Sequence, residues 1–103
     1  MKRLAWVGGA GRLGATLALA QPAGETVYAT QKCRMCHSIA GNGNPKGPLD
    51  GVAKRGAAAI REWIVDAPTM ALKTGATRKP PMKAFALSKD DLDALVAYLM
   101  TLR

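Results

Sequence analysis

Residues 33–37 read Cys-Arg-Met-Cys-His, and this short segment is the part of the sequence that most strongly indicates the fold. Two cysteines at this spacing lie about one backbone turn apart, so both thiols can reach the two vinyl groups of a single haem and form thioether bonds. The next residue then projects an imidazole at the iron from the same side. The sequence therefore predicts that Cys33 and Cys36 attach a haem covalently and that His37 ligates its iron.

Other chemistries also use a Cys-x-x-Cys pair. A thioredoxin-type redox pair belongs in a βαβ unit, which the sequence does not predict. A zinc site would need a second pair of ligands, and the chain has only two cysteines and one histidine. The remaining alternative is an incidental pair of buried thiols. Haem attachment is preferred to all three, because few five-residue motifs are as specific.

Length, composition and charge limit the possibilities further. The chain has 103 residues, of which 49% are hydrophobic, and this is enough for one small domain. Two cysteines are too few for a disulfide framework, and no apolar run reaches the roughly 18 residues of a membrane span. With eleven glycines and five aromatic residues the core is thin, so a cofactor is expected to fill it.

The N-terminal residues have the features of an export signal. Residues 1–20 are predicted to be a secretory signal peptide: Lys2-Arg3 gives a positive start, an apolar stretch follows, and Ala18-Leu19-Ala20 forms an A-x-A cleavage site. Arg12 interrupts the apolar stretch, so the alternative is an extension that stays on the protein. Residues 21–103, with no repeat or linker, are predicted to form one domain.

Helical periodicity dominates that domain and predicts the all-α class. One helix is expected over about Gly24–Arg34 and a second over about Ala57–Asp66. In the second, one buried stripe is formed by Ile60, Trp63, Ile64 and Ala67. Ser88 is predicted to cap a third helix, whose apolar face is Leu92, Leu95, Val96, Leu99 and Leu102 and which Arg103 ends. The Gly/Pro-rich stretches 41–48 and 79–82 are predicted loops.

The second axial ligand of the iron must come from another residue type. His37 is the only histidine, which leaves methionine, lysine, water or no ligand. Met82 follows two prolines on a stiff extended segment, and a thioether is the usual partner of histidine where electron transfer at a raised potential is wanted. We predict Met82 as this ligand, with Met70 as the alternative and plain core packing as the ordinary role of a methionine.

Together, these residues resemble the class I c-type cytochromes, the small bacterial kind with one haem. The resemblance covers residues 24–102 and rests on Gly24-x-x-x-Tyr28, Cys33–His37, Gly47–Val52, Pro81-Met82 with Phe85, and Leu95–Leu99. It implies three to four helices wrapped around one covalently bound haem c and its iron. It also implies that the first and last helices cross, with Gly24 allowing their backbones to approach closely.

The resemblance implies further contacts around the haem. The carbonyl of Pro48 would accept a hydrogen bond from the outer ring nitrogen of His37, which fixes the ring and raises its basicity. Arg55 matches a position that binds a haem propionate. Trp63 would pack as part of the haem wall. The sequence departs from the usual pattern in having one residue fewer between Pro48 and Leu49.

An iron with both axial positions filled has no place for a substrate. The sequence therefore predicts a one-electron carrier, not an enzyme, which shuttles electrons between periplasmic redox partners through a His37/Met82-ligated haem. One alternative is a haem c subunit permanently bound to a periplasmic dehydrogenase or oxidase. Another is a peroxidase or gas-binding protein with a vacant sixth position.

The formal net charge of +8 bears on the partners. Basic residues cluster in sequence around the motif and the Met82 segment: Lys32, Arg34, Lys46, Lys54, Lys73, Arg78, Lys79, Lys83 and Lys89. If they surround the haem edge, they would steer acidic redox partner proteins towards it. Neither a stacking platform nor a recognition helix for nucleic acid is apparent. We expect a soluble periplasmic protein, monomeric and without a membrane span.

Overall fold

The computed structural model describes residues 23–103, and these are mostly helical. Helix α1 covers residues 23–30, and the other helices are α2 (Ala57–Val65), α3 (Ala67–Thr74) and α4 (Lys89–Leu99). Short 3-10 helices lie at Cys33–Met35 and Val52–Arg55. One two-stranded antiparallel hairpin pairs β1 (Ser38–Ile39) with β2 (Asn42–Gly43). The all-α prediction is confirmed, and the predicted signal peptide (1–20) lies outside the described residues.

Helix α4 begins where the sequence predicts. The Ser88 hydroxyl accepts a hydrogen bond from the backbone N–H of Asp91 at 3.1 Å, and two aspartates occupy the first turn, where the helix dipole favours them. The helix ends earlier than predicted, at Leu99. Leu102 and Arg103 therefore lie beyond it, and the carbonyl of Leu102 accepts from the N–H of Ala53 at 3.0 Å. This bond ties the end of the chain to the second 3-10 helix.

The second predicted helix, about 57–66, is confirmed as α2 (57–65), and α3 follows it as a further helix that the sequence analysis did not predict. Helix α2 ends at Val65, because Asp66 has non-helical angles (φ −149°, ψ 57°) and turns the chain. Pro68 lies in the first turn of α3, where its missing N–H costs no hydrogen bond. Ala67 thus belongs to a separate helix instead of continuing the stripe of Ile60 and Ile64, although it is fully buried.

Helix α1 is also shorter than predicted. It ends at Thr30, and Lys32 then adopts left-handed angles (φ 59°, ψ 37°) that redirect the chain. The next residues form a tight turn, in which the carbonyl of Cys33 accepts from the N–H groups of Cys36 (3.1 Å) and His37 (2.9 Å). The cysteine motif is therefore a separate turn and not the last part of α1.

The core lies where α1 and α2 pack against α4. Its buried members are Val27, Ile60, Ile64, Leu95, Val96 and Leu99. Gly24 of α1 is buried against α4, and a Cβ there would collide with the Cβ of Tyr98 and the carbonyl of Ala94. The rings of Tyr28 and Tyr98 meet edge to face, with centroids 6.0 Å apart. The expected close crossing of the first and last helices is confirmed.

Between residues 23 and 103, no helix is both long and apolar enough to cross a bilayer.

Candidate functional site

One large cavity, of about 1130 Å³, opens between the cysteine turn, α2, α4 and the loop that joins α3 to α4. It exceeds the roughly 300–1,000 Å³ of ordinary small-molecule pockets, so it suits a large cofactor. Its walls include every residue that the sequence analysis assigned to the site: Cys33, Cys36, His37, Pro48, Arg55, Trp63 and Met82. Residues that are up to 49 positions apart in the sequence thus face one space. We refer to it as the central cavity.

The central cavity is a continuation of the hydrophobic core. Ile60 and Ile64 of α2 and Leu95 and Leu99 of α4 are core residues that also line it. Phe85, on the loop before α4, lines it as well. The helices therefore supply an apolar wall that would exclude water from a bound group.

A hydrogen bond to the backbone orients the imidazole ring of His37. Its Nδ1 lies 3.0 Å from the carbonyl oxygen of Gly47. A carbonyl can only accept, so Nδ1 carries the proton and Nε2 keeps a lone pair available for a metal. The expected acceptor was the carbonyl of Pro48, and the structure corrects this by one residue. A backbone carbonyl still orients the ring, as is usual for a histidine that binds a metal.

Backbone pairing explains the change of acceptor. Ser38 forms a parallel bridge with Pro48, in which the Ser38 N–H donates to the carbonyl of Gly47 (3.0 Å) and the Ser38 carbonyl accepts from the N–H of Leu49 (2.8 Å). In parallel pairing the bonds go to the residues on either side of the partner, so the carbonyl of Pro48 points away. The Gly47 carbonyl, which this pairing directs towards Ser38, is the one that lies beside the ring of His37.

The methionines occupy different environments. Met82 is half-buried and lines the central cavity, on the loop that joins α3 to α4. Met70 is buried in α3 at 8% exposure and is not among the residues that line the cavity. Met35 lines the cavity but is 68% exposed and lies between the two cysteines. Of the two methionines considered as ligands, only Met82 therefore faces the space that His37 faces.

The electrostatics of the central cavity favour neutral ligands inside and cations at the edge. Burial raises the pKa of the Cys33 thiol to about 11. Burial also lowers the pKa of His37, against the effect of its hydrogen bond to Gly47, so the ring is held in the neutral form that binds metals. Among residues 23–103, the cavity is lined by one acidic residue, Asp50, and by five basic residues: Lys32, Lys54, Arg55, Arg78 and Lys83.

Not all of the basic residues singled out in the sequence lie near the central cavity. Lys73 forms an ion pair with Glu62 at 3.6 Å, and Lys89 forms one with Asp93 at 2.6 Å. Neither lysine lines the cavity. Of the cluster, Lys32, Lys54, Arg78 and Lys83 line the cavity, and together with Arg55 we call them the basic rim.

Two residues have roles that the sequence analysis missed. Gly47 supplies the acceptor for His37, and a Cβ there would collide with the carbonyl of Cys36 and the guanidinium of Arg78. Arg78, treated above only as a surface cation, donates to the carbonyl of Cys36 at 2.5 Å. The sequence shows Gly47 only as one glycine of a Gly/Pro-rich loop. No local pattern indicates its contact with Arg78, which lies 31 positions later.

The donor set fits a haem better than a simple metal ion. Within residues 23–103, no group of three or more His, Cys, Asp or Glu side chains could hold a metal, so a zinc site lacks its ligands. Two thiols beside one imidazole, a thioether on another loop and an apolar cavity together suit a covalently bound porphyrin. The residues therefore fit haem c.

Comparisons with known proteins agree with this chemistry. Neither the curated proteins nor the solved structures gave a match. The family model for cytochrome c matches residues 22–103, which include every element described above. Members of this family bind covalently attached haem c, with its iron, for electron transfer. The site and the match over most of the chain identify this protein as a member of the cytochrome c family.

Proposed function

We propose that this protein is a one-electron carrier that shuttles electrons between periplasmic redox partners. In this proposal Cys33 and Cys36 would form the thioether bonds to haem c, and His37 and Met82 would ligate its iron. The observation that carries it is that an oriented imidazole and a thioether from two separate loops line the same apolar cavity. Arg55 and Trp63, which line it too, are proposed to contact the haem, and Pro48 to contribute only to the wall.

The chain's own residues account for a carrier better than for an enzyme. The haem iron supplies reversible one-electron chemistry when bound. With both His37 and Met82 as ligands, the iron would have no free position for a substrate. The apolar wall of Ile60, Ile64 and Leu95 limits access of water, and a dry, rigid surrounding keeps the reorganisation on electron transfer small.

The basic rim supports acidic redox partners. Lys32, Lys54 and Lys83 lie at the edge of the central cavity and would attract a negatively charged protein to it. Such attraction speeds encounter and weakens with salt, since the Debye length falls to about 3 Å at 1 M ionic strength. Electron transfer to an acidic partner should therefore slow markedly as ionic strength rises. Purification in a stable complex with a dehydrogenase or oxidase would instead support a permanent subunit.

The axial ligand is tested by optical spectroscopy of the ferric protein. Met82→Leu conserves volume but removes the sulfur, so the sulfur-to-iron charge-transfer band should disappear. Met70→Leu is the matched control, because Met70 is buried outside the central cavity, and it should retain the band. Loss of the band in the Met70 variant alone would move the ligand to Met70. A high-spin wild-type protein that binds cyanide at once would favour an enzyme.

Covalent attachment and export are tested on protein from the periplasmic fraction. Haem should stay with the wild-type chain in acid–acetone, whereas Cys33→Ser with Cys36→Ser should release it or bind none. Mass spectrometry should find the chain to begin at Gln21, with the mass of one haem added. A mature chain that begins at Met1 would contradict the proposed signal peptide, and extractable haem would contradict the attachment.

A further inference from the structure

The loop that carries Met82 has few attachments to the rest of the protein. Among the described residues, the loop segment 77–87 makes one backbone–backbone hydrogen bond. The N–H of Phe85 donates to the carbonyl of Ile64 at 2.9 Å. That bond holds the loop to α2, on the side of Met82 nearer to α4. Met82 therefore depends on some other contact to fix the side of the loop nearer to α3.

Arg78 supplies a contact there, and it crosses to the opposite side of the central cavity. Its Nη2 donates to the carbonyl oxygen of Cys36 at 2.5 Å, across 42 positions of sequence. Cys36 belongs to the turn that carries His37, whereas Arg78 lies four residues before Met82. One guanidinium thus connects the two loops that carry the proposed axial ligands. A hydrogen bond from a cation is stronger than one between neutral groups.

The surroundings of Arg78 are shaped for the guanidinium. A Cβ on Gly47 would collide with both the Arg78 guanidinium and the Cys36 carbonyl, so the absence of a side chain at this position makes room for the contact. Gly47 is also the residue whose carbonyl accepts from His37. Arg78 therefore lies against the structure that orients the imidazole, and it lines the central cavity itself.

We propose that Arg78 is a positioning residue, a clasp that holds the Met82 loop closed over the central cavity by binding the Cys36 carbonyl in the space left by Gly47. Opening the loop would require this hydrogen bond to break. The clasp therefore sets how often the loop opens and how easily an external ligand replaces Met82. The proposal rests on the proposed function only where it concerns Met82 as a ligand.

The first test is competition for the iron by imidazole. An external ligand binds only the open fraction of the protein, so its apparent affinity reports that fraction. Arg78→Gln removes the charge and the fork of donors, and ferric protein should then bind imidazole about three- to tenfold more tightly. Arg78→Lys keeps the charge and one donor and should restore part of the difference. The sulfur-to-iron band should persist in both variants without imidazole.

The matched control is Lys79→Gln, which removes the same charge from the next residue of the loop. Lys79 does not line the central cavity, so imidazole affinity should stay at the wild-type value. Equal affinities in wild type, Arg78→Gln and Lys79→Gln would overturn the clasp. An equal increase in both variants would also overturn it, because net charge and not the Cys36 contact would then be responsible.

A second measurement keeps the clasp separate from the ligand assignment. In holoprotein with Met82→Leu no sulfur ligand remains, yet Arg78 can still bind the Cys36 carbonyl. Adding Arg78→Gln should then increase the rate of proteolytic cleavage within residues 77–87 several-fold, with no matching increase for Lys79→Gln. Unchanged cleavage would overturn the clasp. Absence of the sulfur-to-iron band from the wild-type spectrum would overturn only the assignment of Met82 as a ligand. The cleavage test of the Arg78 contact would be unaffected, because cleavage does not depend on a sulfur ligand.

Discussion

Gly24 of α1 lies so close to Tyr98 of α4 that no side chain fits between them. Helices rarely approach this closely, and the contact brings the two ends of the domain together beside the core. Since α4 also lines the central cavity through Leu95 and Leu99, this crossing positions one wall of the site.

Gly24→Ala tests this crossing, because the close contact reverses the sign of the expected change in the free energy of unfolding. Within a helix the change normally stabilises by about 1 kcal/mol. Here the new Cβ would collide with Tyr98 and Ala94, so we expect destabilisation of about 1–3 kcal/mol, measured by denaturant unfolding of the holoprotein. Thr30→Ala, at the exposed end of α1, should change stability by less than about 0.5 kcal/mol. A stabilising Gly24→Ala would mean that the helices are further apart.

The acceptor of the His37 hydrogen bond can be tested by a pair of variants. Gly47→Ala places a Cβ against the Cys36 carbonyl, so it should displace the loop, cost about 1–3 kcal/mol of unfolding free energy and shift the redox potential. Pro48→Ala leaves the Gly47 carbonyl in place, and its potential should remain near that of the wild type. A larger shift for Pro48→Ala than for Gly47→Ala would contradict this expectation.

The hydroxyl of Tyr28 makes the protein sensitive to alkali. It is buried without a hydrogen-bond partner among residues 23–103, and burial, the largest cause, raises its pKa from 10.0 to about 12. The unfolded chain therefore loses this proton first, and stability falls as pH rises from about 10 to 12. Tyr28→Phe should flatten that part of the stability profile and be neutral to stabilising by about 1 kcal/mol at pH 7. Parallel profiles would contradict this.

A half-exposed carboxylate, Asp93, gives a second pH dependence at the acid end. Hydrogen bonds from Lys89 (2.6 Å) and Arg61 (2.8 Å) lower its pKa below the usual 3.8. The stabilisation is fully present above about pH 3.8 and is lost as pH falls through the lower folded value. Asp93→Asn should remove this acid-sensitive part, most clearly at low ionic strength. Asp90→Asn, in the first turn of the same helix, is the control and should keep it.

The sequence predicted the elements that have local signals. Ser88 and the aspartates after it marked the start of α4, because a capping hydroxyl acts within its own turn. The cysteine motif led to the cavity for a similar reason, since its spacing alone carries the chemistry. Met82 was selected because two prolines precede it; it lines the cavity, and its role as a ligand of the iron stays a prediction.

Features that depend on distant contacts were missed or misplaced. The stripe from Ile60 to Ala67 looked continuous, because helical spacing does not show the turn at Asp66. The acceptor for His37 was wrong by one residue, since it follows from the parallel bridge between Ser38 and Pro48. The hairpin at residues 38–43 is too short for an alternating pattern to reveal.

The two sides of the central cavity differ in the hydrogen bonds that hold them to the rest of the protein. This difference predicts which side unfolds first. On the His37 side, Ser38 is bonded through its backbone to Gly47 and Leu49, and the carbonyl of His37 accepts from Asn44. The opposite side is held mainly by Phe85 and Arg78. With His37 and Met82 as the proposed ligands, gradual heating should therefore displace the Met82 sulfur from the iron before the His37 imidazole. The sulfur-to-iron band should then be lost at a lower temperature than the main absorption of the haem.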